Sequence, residues 1–232
     1  MSPARFYGEG FPYLKLNGLP GKLIVVEGTD GVGRSTQIEM LRSWLEERGH
    51  AVSNTGLSRS PLTEPGLDAA KEGHTLGRIT FSLFYATDFA DRLENQIIPA
   101  LRAGFYVLSD RYFYSIMARD LVRGADPAWV RGVYGFALVP DMVLYLDVEL
   151  DNLVQRVANG PGFNYWESGL DLGLADNLFD SFCEYQPRLM AEFKRMSSEY
   201  GFITVDANRD PLTIFNDLCG HIQGVLGDSV YD

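Results

Sequence analysis

The sequence is poor in cysteine, in histidine and in long apolar runs, and each shortage removes a class of protein. Two cysteines in 232 residues, Cys183 and Cys219, with no CxxC between them, supply neither a disulfide framework nor a zinc site and fit a reducing compartment. The three histidines, His50, His74 and His221, share no metal-ligand spacing and complete no catalytic triad, so each reads as a surface or helix-end residue. No apolar run approaches the ~20 residues that span a bilayer. The opening stretch MSPARFYGEGFPYLKLNG lacks the apolar segment of a secretory signal, and the expected location is the cytoplasm. Positive charge is scarce too: 20 Lys and Arg stand against 31 Asp and Glu, a net charge of −11. That balance argues against nucleic acid or an anionic membrane as a partner, because both attract basic surfaces. Any anion site must then be a local gathering of arginines and backbone N–H groups.

What is present is globular, with 46% hydrophobic and 22% charged residues, enough to bury a sizeable core in one α/β unit. Short β-branched or aromatic runs recur as LIVV at 23–26, AVSNT at 51–55, FYVLS at 105–109, MVLYLDV at 142–148 and FITVDA at 202–207. Each is bounded by turn-forming residues, as strands buried on both faces should be. Helical periodicity fills the gaps at 35–50, 81–104, 127–137 and 180–200. In the first, Ile38, Leu41 and Leu45 share a face and Gly49 stops the helix; the second carries Leu83, Phe84, Leu93, Ile97 and Leu101. Strands alternating with helices predict a five-stranded parallel sheet flanked by helices. Residues 1–21 read as an extension packed on that core, and 157–187 as a lid-like region of the same single domain spanning 1–232.

In such sheets ligands bind beyond the carboxyl ends of the strands. Two motifs lie there. Directly after the first strand comes GTDGVGRST: Gly28, four residues, Gly33, then Arg34, Ser35 and Thr36 opening a helix. Glycines let successive N–H groups turn inward, and the helix N-terminus adds about half a positive charge. Ser35 is placed to hold Mg²⁺ and Thr36 to donate to an inner phosphate. The competing reading is a tight glycine-rich turn with no ligand. Arg34 stands where a phosphate-binding loop of this kind has lysine. It keeps the charge and donates in pairs, but it is bulkier than a compact ammonium, so binding should survive the exchange more easily than rate. At the end of the 105–109 strand lie Asp110, able to serve a metal shell, and Arg111, able to clamp an acceptor phosphate; alone, they are an ordinary ion pair.

EGTDGVGRSTQ, then LFYATD…IIPALRAGFYVLSDRY, then PDMVLYLDV…LVQRV occur in an order and at separations that resemble the thymidylate kinases, P-loop kinases that pass a phosphoryl group from ATP to dTMP. The resemblance covers about 22–220. It implies a P-loop NTPase fold, MgATP as donor, a deoxynucleoside monophosphate as acceptor, and a homodimer. It also implies roles. Gly28, Gly31, Gly33, Arg34, Ser35 and Thr36 would cradle the donor phosphates, with Asn208 and Arg209 near the donor adenine. Asp30 would reach the acceptor sugar, Arg59 and Arg111 its phosphate, and Tyr85 its base. Arg34, Asp110 and Arg111 would carry the chemistry, with Ser35 and Asp110 at the metal.

Three positions depart from the family. Arg34 replaces the loop lysine. Phe89 aligns with the arginine that hydrogen-bonds thymine, which puts it among the expected acceptor-binding residues, and a site without that donor cannot read the carbonyl in the same way. The family takes a catalytic arginine either from the position of Gly31 or from the lid, yet Val157 to Pro187 holds no Lys or Arg and carries Glu167, Asp171, Asp176, Asp180 and Glu184. Arg34, Arg78, Arg92 and Arg156 are the candidates to replace it. Of the lid aromatics Phe163, Tyr165 and Trp166, packing is the expected role. A kinase and a nucleotide-binding homologue without turnover both stay open on the residues alone.

Overall fold

In the computed structural model the described residues are 5–14, 16, 18–73 and 76–226; His74 lies outside them. Five strands form one parallel sheet: β1 (Lys22–Glu27), β2 (Val52–Gly56), β3 (Tyr106–Asp110), β4 (Met142–Asp147) and β5 (Ile203–Asp206), in the order β2-β3-β1-β4-β5. All lie within two residues of the expected runs. β1 sits at the centre between β3 and β4, and Ile24, Val25 and Val26 are fully buried, as a strand covered on both faces requires. Val26 pairs with Asp110, so the chain leaves β1 and β3 at the same height, side by side. That register brings the two motifs together.

The helices are α1 (Arg34–Glu47), α2 (Glu64–Gly73), α3 (Arg78–Arg92), α4 (Ile98–Arg102), α5 (Phe113–Val122), α6 (Pro127–Val133), α7 (Leu150–Ala158), α8 (Leu178–Tyr200) and α9 (Pro211–Leu226). One face of the sheet packs under α3, α5 and α8 through Phe89, Leu93, Ile116 and Phe193. The other packs under α1 and α9 through Leu41, Leu45, Ile214 and Leu218. The helix expected at 81–104 starts earlier and is interrupted by a π-helical turn at Leu93–Ile97. Leu93, Ile97 and Leu101 are buried as expected, whereas Leu83 points outward at 44% exposure. A 3-10 turn at Leu170–Leu172 precedes α8, which starts at Leu178 and is capped by Asn177, whose side chain accepts from the Asp180 N–H.

The N-terminal extension is docked. Phe6 bridges to Leu138, the Tyr7 N–H donates to the Ala137 carbonyl, and the Tyr7 and Tyr114 hydroxyls meet at 2.6 Å. Among the described residues no helix is long and apolar enough to cross a membrane.

Candidate active site

The loop between β1 and α1 is shaped by its glycines. Gly31 (φ +83°) and Gly33 (φ +104°) take the left-handed conformation that side chains disfavour, and a Cβ on Gly31 would come within 2.5 Å of Val157. Gly33 is the N-cap of α1 and no side chain caps the helix, so the first-turn N–H groups of Arg34, Ser35 and Thr36 have no intrahelical acceptor. Those groups and the helix dipole would suit an anion, the ligand that the spacing predicts for this loop.

Arg34 is nearly buried, with 7% of its side chain exposed. Its Nε donates to Asp110 Oδ1 at 2.8 Å, its Nη1 donates to the Gly28 carbonyl at 2.5 Å and also to that of Thr29, and its Nη2 lies 3.8 Å from Asp30 Oδ1. The guanidinium thus lies along its own loop. Ser35 Oγ donates to Asp110 Oδ2 at 3.2 Å, and Arg59, half-exposed, approaches the same oxygen at 3.8 Å. Ser35 and Asp110 are hard oxygen donors in mutual contact, a set that suits Mg²⁺ completed by phosphate oxygens and water. Among the described residues no group of three or more His, Cys, Asp or Glu is placed to hold a metal ion.

Across the loop, Asp30 holds two more arginines. Arg111 contacts Oδ1, and Arg119, one helix further along on α5, donates to Oδ2 at 2.6 Å. Arg111 itself sits in a left-handed turn (φ +69°) whose N–H donates to the Val26 carbonyl. Burial, with Arg119 next in weight, pushes its guanidinium down to about 9, still charged at neutral pH. The turn is anchored by Glu27, the last residue of β1. Its fully buried carboxylate accepts from the Tyr112 N–H at 2.8 Å and the Ser115 hydroxyl at 2.6 Å, fastening the start of α5 to the sheet.

Burial raises the Glu27 carboxyl from 4.5 to about 6, against hydrogen bonds and the nearby Arg34 and Arg111 that lower it. A raised acid is favoured in its neutral form, so ionisation costs the folded state nothing below pH 4.5 and its full amount above pH 6. That gap corresponds to about 2 kcal/mol. Glu27→Gln is therefore expected to flatten the stability profile between pH 4.5 and 6 and to be the more stable protein at pH 7.5. Urea unfolding at pH 5 and 7.5 checks this, and an unchanged slope would remove the assignment.

Arg111, Arg119, Tyr85, Phe81 and Trp166 line a cavity of about 520 Å³ beside the loop. Tyr85 packs edge-on to Phe81 at 5.1 Å, and Phe81 stacks on Trp166 at 5.0 Å. The lid aromatics divide their work. Phe163 packs on Phe179 and Phe182, as expected of packing, while Tyr165 and Trp166 form cavity wall, and the Trp166 indole N–H donates to the Lys71 carbonyl of α2. The far end of this segment is clasped by Arg123, whose Nε and Nη2 both grip Asp171 at 2.9 Å. The acidic lid-like segment therefore lies against this cavity.

Phe89 is not part of that wall. It is fully buried, edge-on to Tyr112 at 4.7 Å, and the expectation of an acceptor contact there is corrected: the position packs the core. Arg92 is equally enclosed, paired to Asp88 at 2.9 Å, and Arg78 bonds the Arg123 carbonyl on the rim of a separate groove. Arg156 donates to the carbonyls of Val32 and Ala207, stapling the loop to the turn after β5. On that turn Asn208 accepts from the Glu149 N–H and from Asn152, and Arg209 pairs with Asp217. Of the four arginines proposed to replace a lid arginine, Arg34 alone touches both Asp30 and Asp110. Arg119, Glu27 and Asp88 escaped the sequence reading, because their partners lie on other elements.

The family model described as Thymidylate kinase matches residues 26–168. A probable thymidylate kinase 2 of Saccharolobus solfataricus is 37% identical over 90% of this chain and 97% of its own length. A probable thymidylate kinase of Thermococcus kodakarensis is 28% identical over 88% and 98%, and a thymidylate kinase of Akkermansia muciniphila 35% over 69% and 79%.

Proposed function

The chain belongs to the thymidylate kinase family, and from that premise we propose that it transfers the γ-phosphoryl group of ATP to dTMP, yielding ADP and dTDP. One arrangement of residues supports the reading above the rest: Arg34 reaches both Asp110 at the end of β3 and Asp30 of the loop, and Asp30 in turn holds Arg111 and Arg119 of the cavity wall, so a donor held by the loop and an acceptor held in the cavity lie on either side of one buried cation. An acceptor phosphate oxygen attacks the γ-phosphorus, and the bond to the bridging oxygen breaks.

Gly28, Gly31 and Gly33, with the amides of Arg34, Ser35 and Thr36, bind the donor phosphates. Arg34 and Arg111 stabilise negative charge on the group in transit, an effect enlarged where water is excluded. Arg59 and Arg111 orient the acceptor phosphate, Asp30 meets the sugar hydroxyl, and Tyr85 offers its ring to the base. Asn208 and Arg209 border the donor base on a turn that Arg156 couples to the loop. Mg²⁺, held by Ser35 and Asp110, supplies further charge neutralisation of the phosphates. A cytoplasmic setting and a homodimer belong to the same proposal, the dimer being checked by a solution mass twice 25.9 kDa.

The test is ADP release from MgATP with dTMP, dUMP and dCMP. Turnover is expected with dTMP; a folded protein that releases no ADP with any of them refutes the reading. No feature of the site favours the binding module without turnover.

A further inference from the structure

Two guanidiniums of the cavity wall share one carboxylate as their ion-pair partner. Asp30, 7% exposed, takes Arg111 on one oxygen and Arg119 on the other. Arg34, the third cation nearby, has Asp110 as its own closer partner. Around Asp30 the sum is two positive charges against one negative, at side chains only 20% and 23% exposed. Like charges held this close in a partly desolvated site repel each other. Both arginines line the 520 Å³ cavity, with Asp120 and Glu167 also on its wall, so a group that enters meets both guanidiniums as donors.

We propose that Arg119 is a further member of the acceptor-phosphate clamp, gripping together with Arg111 and beside Arg59 the dianionic phosphate of a nucleoside monophosphate. A phosphate monoester carries close to two charges at neutral pH and three acceptor oxygens, which suits two guanidiniums facing it. Asp30 then serves as the spacer that keeps the two forks oriented before the acceptor arrives. The inference rests on the kinase reading and sharpens it: the acceptor is recognised first as a dianion, and its phosphate contact is shared between the β3–α5 turn and the body of α5.

Arg119→Gln and Arg119→Lys separate this from a purely structural tie to Asp30. The acceptor KM of Arg119→Gln is expected to rise at least thirtyfold while the ATP KM stays within threefold, and Arg119→Lys should recover part of the loss. Calorimetry with dTMP and with thymidine completes the test. The Gln variant should lose affinity for dTMP and keep that for thymidine, which has no phosphate to clamp. Equal losses for both ligands, or an unchanged acceptor KM, would overturn the clamp. Should Arg119→Gln fail to fold, the same comparison on Arg119→Lys decides. Wild-type turnover of dTMP with an indifferent Arg119→Gln refutes only the clamp; a wild type that turns over no monophosphate refutes the kinase reading beneath it.

Discussion

Arg34→Ala is expected to lower kcat at least a thousandfold while weakening ATP binding far less. The asymmetry follows from what holds each state. Ground-state phosphates rest chiefly on main-chain N–H groups of the loop and the first turn of α1, which the substitution leaves in place. The group in transit depends on fixed cationic charge, and losing one such charge costs about 10³–10⁵ in phosphoryl transfer. Arg34 is the buried cation that spans Asp30 and Asp110, and the lid-like segment brings no replacement. Removing it also strips Asp110 of its closest partner, leaving Ser35 and the more distant Arg59. Arg34→Lys keeps the charge but has one nitrogen where arginine has three, so it cannot reach the Gly28 and Thr29 carbonyls and Asp110 together. It should retain at least ten times the turnover of the alanine variant. Steady-state kinetics with calorimetry of ATP binding checks both numbers, and an alanine variant within tenfold of the wild type would disprove the catalytic role.

The second large effect belongs to a residue that touches no substrate. Asp88 on α3 is fully buried and accepts four bonds, from the N–H groups of Ser58 and Ser60, the Thr63 hydroxyl and Arg92 Nε. It therefore fixes both flanks of Arg59, whose guanidinium leans over Asp110. Asp88→Ala strands Arg92 as an uncompensated charge in the core, which costs about 3–5 kcal/mol. It also frees the Arg59 loop, so the acceptor KM should rise in whatever fraction stays folded. Arg92→Met is the informative contrast. It leaves the carboxylate without its cation but still held by three donors, whereas Asp88→Ala leaves Arg92 almost without acceptors, so its stability loss should be smaller and its acceptor KM nearly unaltered. Chemical denaturation and acceptor titrations on the pair measure both; equal losses in the two variants would contradict this division of labour.

The strands were legible because each is a compact run of β-branched and aromatic residues ending in a turn former, and the loop and the Asp110–Arg111 pair because each is contiguous. Four helices were not. α2 contains Pro65 and Gly66, which read as breakers; α5 opens with Phe113-Tyr114-Ser115-Ile116, as strand-like as helix-like; α7 is one short amphipathic stretch; α9 carries Gly220 and Gly224. The π-helical turn has no local signal. Phe89 was misplaced because alignment fixes a position along the chain and not the direction of the side chain, which here joins Tyr112, Tyr134 and Phe136 in the core. Glu27, Asp88 and Arg119 take their importance from partners 25 to 89 residues away, a distance that no motif spans.

The segment over the cavity is fastened along its length. At Asp171 it takes a two-pronged ion pair from Arg123, its Glu167 and Ser168 carbonyls accept from Gln186 and Ser181 of α8, and its Trp166 indole donates to Lys71 of α2 while the ring stacks on Phe81. A strip tied to two helices in this way is expected to open only together with them, so that passage of a ligand over this wall is coupled to α2 and α8.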